Sequence, residues 1–207
     1  MNLPNKLTVM RMCLVPVILI IGFIPAYGIW HYISCFVCAA VFIVASVTDM
    51  LDGKIARRDN LITDFGKFLD PIADKFMVIG AMFVLLYKFS NLRLIMIITL
   101  IIVVFRELAV TAMRLVVSTG NNIVIAANYL GKLKTVSQII AVCTVLLEPV
   151  VQYVARLIVE AISGKPQLWR TDIIPLSWAT ILFCLVMTVW SGLNYILAYW
   201  KYLDPEK

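Results

Sequence analysis

The sequence predicts an all-α, polytopic membrane protein with six transmembrane helices around a polar cavity that faces the cytoplasm. Of its 207 residues, 62% are hydrophobic and only 14% are charged, a composition typical of membrane proteins. Six apolar stretches follow one another along the chain, and three of them are interrupted by charges. Charges inside spanning segments usually face a protein interior or a water-filled cavity. The chain is therefore expected to form one membrane domain, residues 1–207.

Three of the apolar stretches contain no charge. A spanning helix needs about 20 predominantly apolar residues. Residues 12–30 and 173–200 meet this requirement, and residues 32–48 nearly do before ending at Asp49. A short juxtamembrane segment, residues 1–8, is expected to precede the first helix.

The other three stretches, residues 76–87, 94–105 and 135–147, are too short to span unless neighbouring charges are included. These three helices are expected to line the polar cavity. After the fifth helix, an interfacial loop is predicted at about 149–172. Within it, residues 150–163 have the spacing of a helix lying in the membrane interface.

The distribution of lysine and arginine predicts the orientation. If the N-terminus is cytoplasmic and the helices alternate, most basic residues lie on the cytoplasmic side, as the positive-inside rule requires. Both termini and the acidic cluster described next would then be cytoplasmic. The net charge of +6 suits a basic collar attracted to anionic lipid headgroups and does not call for a nucleic-acid partner.

Four aspartates beside apolar helices are the main functional signal. A carboxylate at the bilayer centre costs about 2.5–3.5 kcal/mol on insertion scales. Asp49 and Asp52 share one helical face, as do Asp70 and Asp74. If the second helix ends near Arg58, both pairs lie at matching heights on two consecutive helices, about 9 Å or more from the turn. Four oxygen ligands so placed could hold two divalent cations, Mg²⁺ or Mn²⁺.

A second set of charges is basic. Arg106 and Arg114 are eight residues apart on one predicted helix, so both can point into one cavity. Lys132 and Lys134 are two residues apart and cannot both face inward on a regular helix. The sequence leaves open which of the two does. Such cations suit a ligand that carries phosphate.

The acidic segment reads Asp49-Met-Leu-Asp52-Gly53-Lys-Ile-Ala56-Arg57, eight residues, Gly66, three residues, Asp70, three residues, Asp74. This pattern resembles the signature of the CDP-alcohol phosphotransferase family without a gap or substitution. Three flanking motifs are similar to those of the bacterial phosphatidylglycerophosphate synthases within that family. They are Pro4-Asn5-Lys-Leu-Thr8 with Arg11, residues 106–114 and residues 131–135.

The resemblance implies a homodimer in a bacterial inner membrane that transfers a phosphatidyl group from CDP-diacylglycerol to sn-glycerol 3-phosphate and releases CMP. It implies metal ligation by Asp49, Asp52, Asp70 and Asp74, with Asp74 as the base. The donor would contact Asn5, Thr8, Gly53, Ala56, Arg57, Thr63 and Gly66. The acceptor phosphate would contact Arg106, Arg114 and whichever of Lys132 and Lys134 faces inward.

Two alternatives remain open from the sequence. The acceptor could be phosphatidylglycerol, inositol phosphate or serine with the same chemistry. A protein of another class, a cation channel or transporter, could use the carboxylates as an ion path. The acids cluster on the cytoplasmic half of two adjacent predicted helices, and no acidic residues continue the path to the other face.

Overall fold

The described part of the protein is built from six long helices. The structure, a computed structural model, describes residues 3–58, 64–121, 129–166 and 174–200, and for residues 3–4, 52–58, 64–65, 67 and 118–121 it describes the backbone alone. The helices are α1 (Leu3–Phe23), α2 (Ile29–Arg58), α3 (Asp64–Lys88), α4 (Arg93–Asn121), α5 (Tyr129–Ser163) and α6 (Pro175–Tyr199). A 3₁₀ turn, Ser90–Leu92, precedes α4. No strand occurs within the described ranges, so the all-α prediction is confirmed.

The six helices close into a ring. Neighbours in contact follow the order α1, α3, α4, α6, α5, α2 and back to α1, and α3 also touches α5 across the ring. The core between them is apolar and includes the fully buried side chains of Phe42, Leu85, Met96 and Leu146. In this order α1 packs against both α2 and α3. A polar side chain on α1 can therefore reach the acidic residues of both helices.

Five of the described helices are long and apolar enough to cross a membrane: α1, α2, α4, α5 and α6. The remaining helix, α3, carries several charged residues in its first half, among them Asp70, Asp74 and Lys75. The three short apolar stretches of the sequence all lie within longer helices that include charges, as predicted. The chain thus has the architecture of a multi-pass membrane protein.

The boundary between the first two helices differs from the prediction. Residues 12–30 do not form one helix, because α1 ends at Phe23 and α2 begins at Ile29. Pro25 cannot donate a backbone hydrogen bond, and Gly28 has a φ of 57°, a left-handed conformation that favours glycine. At its other end α1 begins at Leu3, so most of the expected juxtamembrane segment is helical and continuous with the span.

The region after the predicted fifth span also differs. Residues 150–163 are helical, but they extend α5 without a break through Pro149, so the prediction of a loop starting at about residue 149 is wrong as far as Ser163. The extension packs against α2, where the Tyr153 and Tyr32 rings stack with centroids 4.3 Å apart. This contact compensates for the hydrogen bond that Pro149 cannot make. Residues 167–172 of the predicted loop lie outside the described residues.

The start of α6 is held by a carboxylate from another helix. Glu148 of α5 accepts hydrogen bonds from the Leu176 amide (3.1 Å), the Ser177 amide (2.7 Å) and the Ser177 hydroxyl (2.5 Å). Pro175 occupies the first turn of α6 and has no amide hydrogen to satisfy. The first amides of a helix lack intrahelical partners and favour a negative charge. Glu148 therefore fixes α6 against α5.

Candidate active site

An arginine from α1 joins the acidic residues of α2 and α3. Arg11 Nη1 lies 2.7 Å from Asp49 Oδ1 and 2.9 Å from Asp74 Oδ1. The Arg11 side chain is fully buried, whereas the carboxylate side chains are 39% and 49% exposed. One guanidinium nitrogen thus holds two carboxylates side by side. The structure brings Asp49 and Asp74 together, as their matched heights on consecutive helices predict.

The same face of α1 also reaches Asp70. The Thr8 hydroxyl donates a hydrogen bond of 2.6 Å to Asp70 Oδ1. Thr8 is almost fully buried, and Asn5, one turn earlier, is 8% exposed. Asp70 itself is exposed, so its carboxylate lies at the mouth of the cluster. Asn5, Thr8 and Arg11 are spaced three residues apart, which places them on one face of the helix.

The remaining donor-side predictions fall on the ends of α2 and α3. Gly66 is buried near the start of α3. Asp52, Gly53, Ala56 and Arg57 lie on the last described turns of α2, with Asp52 one turn after Asp49. For these four residues the backbone alone is described. Thr63, another predicted donor contact, lies outside the described residues.

The donor set suits a hard divalent cation. Three aspartates, Asp49, Asp70 and Asp74, present oxygen ligands in one cluster, and Mg²⁺ prefers one or two carboxylates together with substrate phosphates. Among the side chains that the structure describes, no group of three acidic, histidine or cysteine side chains is arranged to hold a metal ion. The aspartates fit such a cation by the chemistry of their oxygen donors.

A cluster of cations lies on the other side of α3, formed by α4, α5 and α6. Arg106 is 8% exposed and Lys134 is 5% exposed. Both contact Glu107: the Lys134 ammonium pairs closely with Glu107 Oε1, and Arg106 Nη1 lies 3.5 Å from the same oxygen. One carboxylate thus partly balances two buried cations, and the cluster keeps a net positive charge.

Arg114 reaches the same place from two turns further along α4. Arg114 Nη2 donates a hydrogen bond of 2.6 Å to the Tyr195 hydroxyl, and both arginines lie over the Tyr195 ring. The Nε–H groups of Arg106 and Arg114 are buried and have no partner among the described residues. Buried donors of this kind are normally satisfied. Two cations with spare donors form a suitable anion site.

The structure resolves the choice that the sequence leaves open between the two lysines. Lys134 is buried and faces the cluster, whereas Lys132 is exposed. One contact also ties together two of the helices that carry the acidic and basic clusters. Lys75, the residue after Asp74, donates a hydrogen bond of 2.8 Å to Thr111, which lies on α4 between Arg106 and Arg114.

Four residues of the two clusters escaped selection from the sequence: Arg11, Glu107, Ser191 and Tyr195. Arg11 carried a usable signal, since it is a charge inside an apolar helix, three residues after Thr8. Ser191 and Tyr195 interrupt an otherwise apolar helix next to a glycine, a pattern that allows close packing. No spacing rule indicates that Glu107 pairs with a lysine 27 residues away.

Several known proteins are similar in sequence to this chain. The model of the CDP-alcohol phosphatidyltransferase family matches residues 1–190. A CDP-diacylglycerol–glycerol-3-phosphate 3-phosphatidyltransferase from Bacillus subtilis (strain 168) is 43% identical over 157 residues, covering 70% of this chain and 77% of the relative. Proteins with the same name from Pseudomonas fluorescens and Escherichia coli (strain K12) are 32% and 31% identical.

These two relatives also match in length. The Pseudomonas fluorescens protein aligns with 100% of this chain over 94% of its own length, and the Escherichia coli protein with 95% over 94%. The match therefore includes both the acidic and the basic cluster, and the resemblance found in the sequence is confirmed. The chain belongs to the CDP-alcohol phosphatidyltransferase family.

Proposed function

We propose that this protein transfers the phosphatidyl group of CDP-diacylglycerol to sn-glycerol 3-phosphate, giving phosphatidylglycerophosphate and CMP. The observation that carries the proposal is the presence of both clusters in one helix bundle, on helices α3 and α4 that the Lys75–Thr111 hydrogen bond ties together. A carboxylate cluster suits a metal-bound diphosphate, and a buried cation cluster suits a second phosphate. The names of the relatives specify the same donor and acceptor.

The acidic half of the site would bind the donor together with two divalent cations. Asp49, Asp52, Asp70 and Asp74 are the ligands in this proposal. Bound there, Mg²⁺ or Mn²⁺ would neutralise the diphosphate charge and stabilise the departing CMP. Thr8, which holds the Asp70 carboxylate, keeps one ligand in place at the mouth of the cluster.

Asp74 is the proposed base. It would accept the proton of the acceptor hydroxyl as that oxygen attacks the phosphorus atom next to the diacylglycerol. Arg11 orients this carboxylate through its 2.9 Å contact and offsets the repulsion between Asp74 and Asp49. A base must lie within hydrogen-bond reach of the proton that it removes, so a fixed carboxylate favours catalysis.

The basic half of the site would hold the acceptor by its phosphate. Arg106, Arg114 and Lys134 supply three cations against the one carboxylate of Glu107. This surplus suits a phosphomonoester dianion and disfavours serine, whose ammonium group would be repelled. Phosphatidylglycerol and inositol phosphate remain outcomes of the acceptor experiment below.

The setting of the enzyme is also part of the proposal. If the helices alternate across the membrane, most lysine and arginine residues lie on the side to which the acidic cluster opens. Under the positive-inside rule, this supports a cytoplasmic site in an inner membrane. The family resemblance supports a homodimer.

The test is an acceptor panel with purified protein in detergent. CDP-diacylglycerol, Mg²⁺ or Mn²⁺ and each candidate alcohol are incubated while CMP and the lipid product are followed. We expect CMP release with sn-glycerol 3-phosphate, abolished by EDTA and by Asp74→Asn. Glu160→Gln is the matched control, because Glu160 pairs with Arg156 at the C-terminal end of α5, and it should keep full activity. Turnover with a different alcohol would refute the proposed acceptor, and no CMP release from folded protein would refute the reaction.

A further inference from the structure

One face of α6 contacts both arginines of the basic cluster. Ser191 and Gly192 lie one turn before Tyr195, and all three are buried. Ser191 is fully buried and Tyr195 is 2% exposed. In a helix with such a high proportion of apolar residues, a buried serine and tyrosine need a polar partner. Their partners are the two arginines of α4.

Tyr195 lies between Arg106 and Arg114. Its hydroxyl accepts the 2.6 Å hydrogen bond from Arg114 Nη2. Its ring centroid is 5.1 Å from Arg114 Cζ and 5.5 Å from Arg106 Cζ. A guanidinium within about 6 Å of an aromatic ring is attracted to the ring face. One tyrosine therefore holds two like charges close together in a buried site.

Ser191 and Gly192 fix the first arginine. Arg106 Nη2 donates a hydrogen bond of 2.7 Å to Ser191 Oγ. A Cβ atom added at Gly192 would lie 3.2 Å from Arg106 Cγ, so the arginine stem passes directly over the glycine. An alanine here would displace that stem by a few tenths of an ångström. The position of Arg106 thus depends on α6 at both its stem and its head.

We infer that Tyr195 is a positioning residue. Together with Ser191 and Gly192, it orients Arg106 and Arg114 so that they bind one phosphomonoester group of the acceptor. This inference rests on the proposed function and names the part of the site that selects the acceptor. Arginine binds phosphate bidentately only when its plane is oriented. Two arginines without support would repel each other and point apart. The tyrosine hydroxyl and ring orient both of them before the acceptor arrives.

The test compares Tyr195→Phe with Tyr199→Phe. Tyr199 is a matched control because it lies on the next turn of α6, with its ring 6.0 Å from that of Tyr195. Tyr195→Phe keeps the ring but removes the hydrogen bond to Arg114. We expect the KM for sn-glycerol 3-phosphate to rise about 10-fold, since hydrogen bonds to charged groups contribute a factor of this order. The KM for CDP-diacylglycerol and kcat should stay within about 2-fold, as for Tyr199→Phe.

Gly192→Ala gives an independent probe, because it displaces Arg106 and leaves Tyr195 intact. It should raise the KM for sn-glycerol 3-phosphate. In each of the two variants, the inhibition constant for inorganic phosphate should rise by the same factor as this KM. A purely structural role would lower kcat and thermal stability without this selective change in phosphate affinity. An unchanged acceptor KM in folded Tyr195→Phe, or an equal change in both substrates' KM, would overturn the inference.

Calorimetric titration with sn-glycerol 3-phosphate separates this inference from the proposed function. If the wild-type protein binds the acceptor and Tyr195→Phe weakens that binding about 10-fold, the positioning role stands even if no CMP is released. If the wild-type protein releases CMP with sn-glycerol 3-phosphate, and Tyr195→Phe binds this acceptor as tightly as the wild type does, the proposed function stands and the positioning role is wrong.

Discussion

Replacing Arg11 with methionine should disable the acidic cluster while leaving the apolar packing of α1 nearly unchanged. The fully buried guanidinium holds Asp49 and Asp74 through one nitrogen, at 2.7 and 2.9 Å. In Arg11→Met the two carboxylates lose this shared cation and repel each other. Asp74, the proposed base, would then turn away from its position in the site.

The magnitude follows from these two contacts. A hydrogen bond between charged groups contributes about 1.5–3 kcal/mol. Because the two carboxylate side chains are 39% and 49% exposed, solvent screening favours the low end of that range for each contact. The sum of about 3 kcal/mol corresponds to a loss of roughly a hundredfold in rate. Arg11→Lys should recover part of that loss, since a single nitrogen makes both contacts and lysine supplies one.

The assay is the initial rate of CMP release at saturating substrates and metal, with thermal unfolding followed on the same samples. Arg93→Met is the control, because Arg93 is exposed at the start of α4, and its rate should stay within about 2-fold of the wild type. Wild-type activity in folded Arg11→Met would refute the reasoning. Equal losses in the methionine and lysine variants would show that guanidinium geometry, and not the charge, orients the carboxylates.

Three further predictions concern stability, each measured as a shift in thermal unfolding in detergent. Glu148→Ala should destabilise by about 1–2 kcal/mol through loss of the α6 cap. The control Glu160→Ala removes a surface pair and should be nearly neutral, so equal shifts would contradict the capping role. Lys134→Met should destabilise by about 3 kcal/mol by leaving a buried carboxylate short of a partner, and Lys132→Met should be nearly neutral. Gly22→Ala should cost about 1–3 kcal/mol, because the added Cβ would overlap the Val84 side chain of α3; a neutral result would show that this contact relaxes freely.

The sequence predicted the architecture well where hydropathy and charge spacing decide it. The meeting of Asp49 with Asp74 follows from their matched heights on consecutive helices. The break between α1 and α2 was misplaced, because the apolar run continues through Pro25 and hydropathy does not mark it. The continuation of α5 was missed because Pro149 and the polar residues after it resemble a helix end.

The composition of the clusters was less predictable than their location. Arg11 was recognised only as part of a motif, since the prediction paired α2 directly with α3, whereas the structure places α1 against both. The choice of Lys134 over Lys132 depends on how α5 is rotated toward Glu107. That rotation is set by packing against α6, which local sequence spacing does not encode.

The Glu148 cap has a consequence for which changes in length the chain can accept. From Ser177, held by Glu148, to Ser191, held against Arg106, α6 runs about 21 Å as one uninterrupted helix. Inserting or deleting a single residue in this interval would rotate everything after it by about 100°. Ser191 and Tyr195 would then leave the arginines together. Insertions and deletions between Ser177 and Ser191 should therefore be poorly tolerated in evolution and in engineering. The surface connections between helices differ, because insertions are tolerated there.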